Sequence, residues 1–373
     1  MSAVRLGLGR KLVRLNWPLV FLVLASGAFG LLMLYSVAGG AADPWASRQA
    51  TRFALGLVGM MVIALIDIRV WRRLSPLAYL GALVLLVAVE FIGVRGMGAQ
   101  RWINLGFMQL QPSEVMKVAL VMALASYYAW LPAERVSHPL WLLPPLVLTL
   151  VPTLLVLRQP DLGTALMLLA GGAGLMFLAG VHWLYFTSGL AAASAAVWAI
   201  LASRGTAWQV LQDYQFRRID TFLDPSLDPL GAGYHITQAK IALGSGGLSG
   251  RGFMQGTQSR LNFLPEKHTD FIFTTLAEEF GLVGGLLLLG VYALTVVLCL
   301  VSAIANRDRF GALLTGGVAV TFFLFFAVNM GMVMGLLPVV GVPLPLVSYG
   351  GSAMLVLLCA FGLVQSAHIH RPL

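Results

Sequence analysis

Long apolar runs separated by short polar segments extend from one end of the chain to the other. A membrane hydrocarbon core about 30 Å thick is crossed by a helix of about 20 apolar residues, and many of the runs approach that length. Ten candidate spans begin near Pro18, Phe53, Pro76, Met116, Trp141, Leu162, Trp183, Phe271, Phe310 and Gly351. The pattern predicts an all-α polytopic membrane protein with about ten transmembrane helices. The first run has no convincing cleavage site and is interpreted as a span, not a signal peptide.

The segment from Arg204 to Asp270 is the longest break in this pattern. It is rich in glycine but keeps large apolar residues such as Tyr234 and Phe253, which flexible linkers usually lack. We therefore expect a folded loop between the seventh and eighth helices, within a single domain that covers residues 1–373. The stretch His235–Leu243 has the pattern of a short amphipathic helix at a membrane surface.

Composition and charge agree with a membrane protein. Hydrophobic residues make up 59% of the chain and charged residues 10%, whereas soluble domains carry about 25% charged residues. Basic residues beside short loops favour a cytoplasmic N-terminus, and they are Arg5, Arg10, Lys11, Arg14, Arg69, Arg72 and Arg73. Ten spans then place both termini in the cytoplasm and the segment 204–270 outside.

The net charge of +9 is scattered between the helices and forms no basic stripe. Membrane lipids or an anionic substrate are therefore the predicted partners, and nucleic acid is not. Cys299 and Cys359 both lie in apolar runs, so we expect two buried thiols in preference to a disulfide. No Cys/His spacing indicates zinc.

Charged residues beside or within apolar runs are costly in a membrane and are therefore functional candidates. Glu114 and Lys117 lie three residues apart, on one face of a helix that Ser113 would cap. They form either a surface ion pair at a helix start or part of a site that also includes Arg101. Asp161 follows another short outer loop and is either a helix cap or a substrate contact.

The densest polar cluster ends on Asp270, just before an apolar run, and includes Lys267 and His268. A helix N-terminus would keep the Asp270 carboxylate ionised and able to accept a proton at neutral pH. Helix capping would explain Asp270 alone but not its polar neighbours. Glu278 and Glu279 follow two turns later, and Glu279 is too deep for a simple interface residue.

The loop Pro338–Ser352 contains three prolines and three glycines, which exclude a continuous helix. Irregular backbone at membrane depth requires protein or a water-filled cavity around it, so the loop is predicted to line a cavity. Ser348 and Ser352 are its candidate binding residues. The polar clusters all fall on the predicted outer side, where they would suit a substrate with an anionic head and a lipid tail.

At these residues the chain resembles the SEDS family (shape, elongation, division and sporulation), and its elongation branch more than its division branch. The matching stretches are Gly98–Ile103, Gln111–Glu114, Pro160–Thr164, Phe263–Phe273 and Leu344–Ser352. The resemblance implies a ten-helix peptidoglycan glycosyltransferase that polymerises lipid II in the outer leaflet of the bacterial inner membrane, for elongation and rod shape. It also implies a class B penicillin-binding protein as the transpeptidase partner, within the elongation machinery.

By this resemblance Asp270 matches the family's essential carboxylate, and Glu114 with Lys117 its polar pair. An α-linked undecaprenyl-pyrophosphate donor that gives a β-1,4 product is an inversion, so no covalent enzyme nucleophile is required. Asp270 would be the general base. The remaining candidates would bind substrate: Arg101, Asp161, Arg217, Lys267, His268, Ser348 and Ser352. No cofactor is implied with certainty, and a divalent cation at the pyrophosphate stays open.

Two other functions are compatible with parts of the pattern. A lipid II flippase would use the same cavity and cations but needs a polar route through the bilayer, for which Glu90 is the main deep candidate. A structural hydrogen bond would also explain Glu90. A scaffold that only recruits the penicillin-binding protein would leave the cluster around Asp270 unexplained.

Overall fold

The computed structural model describes residues 7–96, 99–106, 108–206, 208–209, 212–228, 232–257 and 267–372. Its helices, in chain order, are α1 Leu8–Val13, α2 Trp17–Val37, α3 Ala46–Leu65, α4 Ile68–Ile92, α5 Pro112–Trp130, α6 Pro139–Arg158, α7 Leu162–Leu178, α8 Trp183–Ala202, α9 Asp213–Leu223, α10 Ala232–Ser245, α11 Ile272–Ile304, α12 Arg309–Val333 and α13 Gly351–Ile369. The predicted helical membrane fold is confirmed.

Eight of these helices are long and apolar enough to cross a membrane. Two further helices of similar length are α5, which carries Glu114 and Lys117, and α7, which is apolar and has 17 residues. Each predicted span has a matching helix, while the number that cross the bilayer and the side of each terminus stay predictions.

Two helices begin earlier than the apolar pattern predicted. α3 begins at Ala46 and not near Phe53, and α4 begins at Ile68 and keeps Pro76 inside it. The first turns of both helices are rich in polar and basic residues. Hydropathy marks where a helix enters hydrocarbon, so it misses helical turns that precede that point.

A small antiparallel sheet lies between α4 and α5, and the all-α prediction did not include it. Its strands are β1 Val94–Gly96, β2 Ala99–Asn104 and β3 Gln109–Leu110, in the order β1-β2-β3. The sheet places Arg101 on its central strand. Glu90 is exposed in the last turn of α4, beside this sheet. Its assignment as a deep residue on a polar route is therefore wrong.

Helices α12 and α13 form the centre of the bundle, and most of their residues are buried. α13 lies close against α3 because Gly362 has no side chain: an added Cβ would stand 2.8 Å from the Met60 carbonyl oxygen. At the other extreme is α8, which the structure describes in full and of which no residue is buried. Cys299 is buried, Cys359 is half-buried, and both are free thiols.

The predicted outer loop is folded in the parts that the structure describes. It contains α9, a turn at Pro225–Leu227, and α10, whose Ala239 and Ala242 are fully buried. The short helix predicted over His235–Leu243 is confirmed. α10 packs against α11, so the loop is attached to the membrane helices.

Helix α11 is interrupted at Gly281, which has φ 65° and ψ −161°. Only glycine adopts this conformation without steric cost. The interruption divides α11 into an upper half, Ile272–Phe280, and a lower half, Leu282–Ile304. Only Phe271 separates the upper half from Asp270, so the orientation of this half-helix affects where that carboxylate lies.

Candidate functional site

The segment Lys267–Asp270 is hydrogen-bonded to the loop that precedes α13. The carbonyl oxygen of His268 accepts from the backbone N–H of Tyr349 at 2.8 Å. The carbonyl oxygen of Thr269 accepts from the Ser348 hydroxyl at 2.6 Å. Ser348, predicted to bind substrate, therefore uses its hydroxyl to join the two segments. The cluster around Asp270 and the Pro338–Ser352 loop, predicted separately, form one site.

A buried amide extends this connection to Asp270 itself. The Nδ2 of Asn329, on α12, donates to the carbonyl oxygen of Asp270 at 2.9 Å and to that of Val342 at 2.7 Å. The Asp270 carboxylate lies against Gly341, where an added Cβ would be 3.4 Å from Oδ2. Gly341 has φ 70°, which favours glycine. Asp270 is half-buried and held by its backbone at the start of α11.

Aromatic and basic side chains lie on and around the two segments that meet at this site. The His268 ring stacks on Trp45, with ring centroids 4.6 Å apart and planes inclined by 15°. The Arg52 guanidinium lies 5.2 Å from the centroid of the Tyr349 ring. Partial burial lowers the pKa of Lys267 from its ordinary value, because desolvation disfavours the charged ammonium. The surroundings of the site therefore combine cations with flat aromatic surfaces.

Glu114 and Lys117 form a buried ion pair, with 2.7 Å between Lys117 Nζ and Glu114 Oε1 and side chains only 4–5% exposed. Lys117 Nζ also lies 3.9 Å from the centroid of the Phe325 ring. The surface-pair alternative is therefore wrong. A cavity of about 10 Å³ borders both charged residues and Phe325. The same ring lines a second cavity of that size beside the Pro343–Gly350 loop.

Arg101 and Asp161 connect the small sheet to α7. Arg101 Nε donates to the carbonyl oxygen of Gln159 at 3.0 Å, and its Nη1 lies 4.0 Å from Asp161 Oδ2. Asp161 accepts from the backbone N–H of Thr164 at 3.1 Å and from Gln111 Nε2 at 3.3 Å. The capping interpretation of Asp161 is confirmed. Its substrate contact stays a prediction.

The last two predicted binding residues differ in their surroundings. Ser352 is buried in the first turn of α13, beside the loop of the site. Arg217 is exposed on α9, which packs against α10 and the turn at Pro225–Leu227. The described contacts do not bring Arg217 to Asp270. Within the described ranges, no group of three His, Cys, Asp or Glu side chains is arranged to hold a metal.

Sequence reasoning missed three residues that shape the site. Asn329 joins Asp270 to Val342, Trp45 supports His268, and Gln49 Nε2 donates to the Ser348 carbonyl oxygen at 2.9 Å. An amide within the apolar run of α12 was a usable signal for Asn329, because polar groups in a membrane helix need a partner.

The fold and this polar site define a polytopic helical membrane protein with a partly buried carboxylate at the start of a helix. The chain belongs to the FtsW/RodA/SpoVE family of cell cycle proteins, whose family model matches residues 16–372. It is 44% identical over 365 residues to the peptidoglycan glycosyltransferase MrdB of Escherichia coli K12, covering 97% of this chain and 95% of that one.

More distant relatives and solved structures agree. The peptidoglycan glycosyltransferase RodA of Treponema pallidum is 31% identical, covering 95% of this chain and 98% of the relative. RodA of Thermus thermophilus matches with 31% identity and a TM-score of 0.71, covering 96% of this chain and 97% of that one. A chain from a peptidoglycan synthase complex that coordinates polymerization and crosslinking matches with 34% identity and a TM-score of 0.81, covering 96% and 98%.

Proposed function

We propose that this chain is a peptidoglycan glycosyltransferase that polymerises lipid II on the outer face of the bacterial inner membrane during elongation. The observation that carries the proposal is the placement of Asp270: its backbone carbonyl oxygen accepts from Asn329, and its carboxylate faces Gly341 of the Pro338–Ser352 loop. Full-length similarity to proteins named as peptidoglycan glycosyltransferases supports the activity.

In the proposed reaction the 4-hydroxyl of the acceptor GlcNAc attacks the anomeric carbon of the donor. The bond to the undecaprenyl pyrophosphate breaks, and the configuration inverts in a single displacement. Asp270 accepts the hydroxyl proton, which contributes about 10²–10⁴-fold to the rate. This role needs the carboxylate form of Asp270, which lies one residue before the N-cap of α11.

The departing pyrophosphate gains negative charge, and fixed cations stabilise it. The proposed cations are Lys267, three residues before Asp270, and Arg52, which lies over the Tyr349 ring. Lys117 is buried behind Phe325, and Glu114 holds its ammonium in place. Arg101 donates a hydrogen bond to the Gln159 carbonyl oxygen, so its proposed role is to support the site and not to bind the pyrophosphate directly. A divalent cation on the pyrophosphate remains part of the proposal.

The proposed partner is a class B penicillin-binding protein, and a match to a chain from a peptidoglycan synthase complex supports it. The lower half of α11 exposes a row of large apolar side chains that a partner's membrane helix could cover: Leu282, Val283, Leu286, Leu287 and Leu294. Both termini in the cytoplasm and an outer active site complete the proposal.

The test is polymerisation of purified lipid II by the detergent-solubilised protein with its cognate penicillin-binding protein. We expect long glycan chains from the wild type and a loss of about 10²–10⁴-fold for Asp270→Asn and Asp270→Ala. Glu90→Gln is the matched control, because Glu90 is an exposed carboxylate on the same side, and it should retain full activity. Folding and partner binding are checked by size-exclusion chromatography.

Two results would contradict this assignment. Wild-type activity in both Asp270 variants would remove Asp270 as the general base. If the wild type makes no glycan but moves labelled lipid II between the leaflets of a vesicle, the protein is a transporter and the glycosyltransferase proposal fails.

A further inference from the structure

The segment Gly246–Thr257, here called the strap, lies in the interruption of α11. Its backbone pairs with the groups that the interruption releases from the helix. The N–H groups of Arg251 and Gly252 donate to the carbonyl oxygens of residues 278 and 279, both at 3.0 Å. The N–H groups of Leu282 and Val283 donate to carbonyl oxygens of the strap at 2.9 and 3.1 Å. The backbone hydrogen-bonding groups at the interruption are thereby paired with other protein groups.

Two adjacent buried carboxylates hold the same strap by side-chain contacts. Glu278 Oε1 accepts from the N–H of Thr257 at 2.7 Å and from its hydroxyl at 2.9 Å. Glu279 accepts from the N–H of Met254 and from the hydroxyl of Ser36 on α2. The two glutamates are 0% and 2% exposed. They join the strap, the upper half of α11 and α2.

Glycines make this approach sterically feasible. An added Cβ on Gly250 would lie 2.1 Å from the Glu279 carbonyl oxygen, and one on Gly246 would lie 2.0 Å from that of Ala277. An added Cβ on Gly281 would lie 2.3 Å from the backbone nitrogen of Gly250. Real Cβ atoms do not approach other atoms this closely, so the docked strap requires glycine at these three positions.

The strap is also attached to the half-helix that follows the candidate general base. One residue, Phe271, separates Asp270 from the upper half of α11. Thr257 is bonded to Glu278, in the second turn of that same half. The last residue of the strap and the candidate general base are therefore both attached to the same short helix.

We propose that Glu278 and Glu279 are positioning residues for glycan polymerisation: by holding the strap in the interruption of α11, they fix the half-helix that presents Asp270. This inference rests on the proposed function. It assigns no chemical step to either carboxylate. Misplacement of a catalytic group by about 1 Å costs about 10²-fold in rate, so loosening the strap should lower kcat.

The first experiment compares lipid II polymerisation by Glu278→Leu and Glu278→Gln in complex with the penicillin-binding protein. Leucine removes the acceptor of both Thr257 bonds, so we expect kcat to fall about 10–100-fold with KM within about threefold. Glutamine keeps an oxygen acceptor at the same length, so it should stay within about threefold of wild type. Equal losses for the two variants, or no loss in either, would overturn the proposal.

Smaller changes keep the test valid where Glu278→Leu does not fold. Ser36→Ala and Thr257→Val each remove one hydroxyl donor to a glutamate. Their matched controls are Ser26→Ala and Thr295→Val, because those hydroxyls donate to carbonyl oxygens of their own helices. We expect lower kcat in the first two variants only. The same loss in the controls would contradict a role for the strap.

Hydrogen exchange provides a readout that does not depend on activity. In Glu278→Leu and Thr257→Val, the amides of Arg251, Gly252 and Leu282 should exchange faster, together with those of the upper half of α11. The inference is overturned if the strap amides exchange faster while those of the upper half do not. It is also overturned if both exchange faster but kcat stays at the wild-type value. If the wild type makes no glycan, the proposed function fails, while exchange still decides whether the strap holds the half-helix.

Discussion

Two ion pairs of almost equal length lie in contrasting parts of the molecule. Lys117 Nζ is 2.7 Å from Glu114 Oε1, with both side chains 4–5% exposed inside the helical bundle. Arg204 Nη2 is 2.8 Å from Asp220 Oδ2, with side chains 53% and 30% exposed, between the end of α8 and α9. The second pair has the better geometry, because two parallel hydrogen bonds join guanidinium and carboxylate.

Burial, and not distance, decides what each pair contributes. Water and salt screen the exposed pair, so either partner is solvated when the other is removed. The partner of a removed charge in the Glu114–Lys117 pair has no such alternative and remains uncompensated in a low dielectric. Phe325 also contacts Lys117 but cannot neutralise its charge. The difference separates a pair that the fold depends on from one that it tolerates.

Single substitutions in the buried pair should have the largest effect. We expect Lys117→Met and Glu114→Leu each to destabilise the protein by roughly 3–5 kcal/mol and to abolish polymerisation. The double variant removes both charges, so it should recover much of the thermal stability but no activity. Thermal unfolding in detergent and lipid II polymerisation measure the two effects. A double variant as unstable as the worse single variant would show that charge compensation is not the reason.

The contrast also shows how far sequence reasoning reached. The three-residue spacing of Glu114 and Lys117 predicted that they share a helix face, because that relation is local. It left open whether the face meets lipid, water or protein. That face meets Phe325, which lies on a helix remote in sequence. No local sequence rule connects Phe325 with Glu114 and Lys117. Helices were predictable from apolar runs alone, whereas their first polar turns were not.

The same limit explains the site around Asp270. Its position at the start of a helix followed from the boundary between polar and apolar residues. Asn329 bonds to Asp270 and Ser348 bonds to the preceding Thr269, and both bonds end on backbone carbonyl oxygens, which leave no trace in the sequence. Ser348 was therefore predicted as a substrate ligand. The interruption at Gly281 was equally hidden, because one glycine in an apolar run also suits a continuous membrane helix.

An intermediate effect is expected at Lys267, which is less buried than Lys117. Burial lowers its pKa, so its positive charge is lost at a lower pH than that of an ordinary lysine. As pH rises through that lowered pKa, attraction for the pyrophosphate is lost and kcat/KM should fall, by about tenfold or less. Lys267→Arg should move this alkaline limb to higher pH, because guanidinium stays charged.

The pH profile of kcat/KM measures this limb. Lys240→Arg, an exposed lysine on α10, is the matched control and should leave the profile unchanged. An alkaline limb that stays in place in Lys267→Arg would assign it to another group.

The smallest effect is expected at the exposed pair. Hydrogen bonding to Arg204 lowers the pKa of Asp220, so the pair stabilises the fold above the ordinary aspartate pKa and loses that contribution as pH falls through the lowered value. Asp220→Asn should therefore lower Tm slightly at neutral pH and low salt, and match the wild type in acid or high salt. Polymerisation should not change. Tm measured across pH and salt checks this, and a loss as large as that of Lys117→Met would contradict burial as the deciding factor.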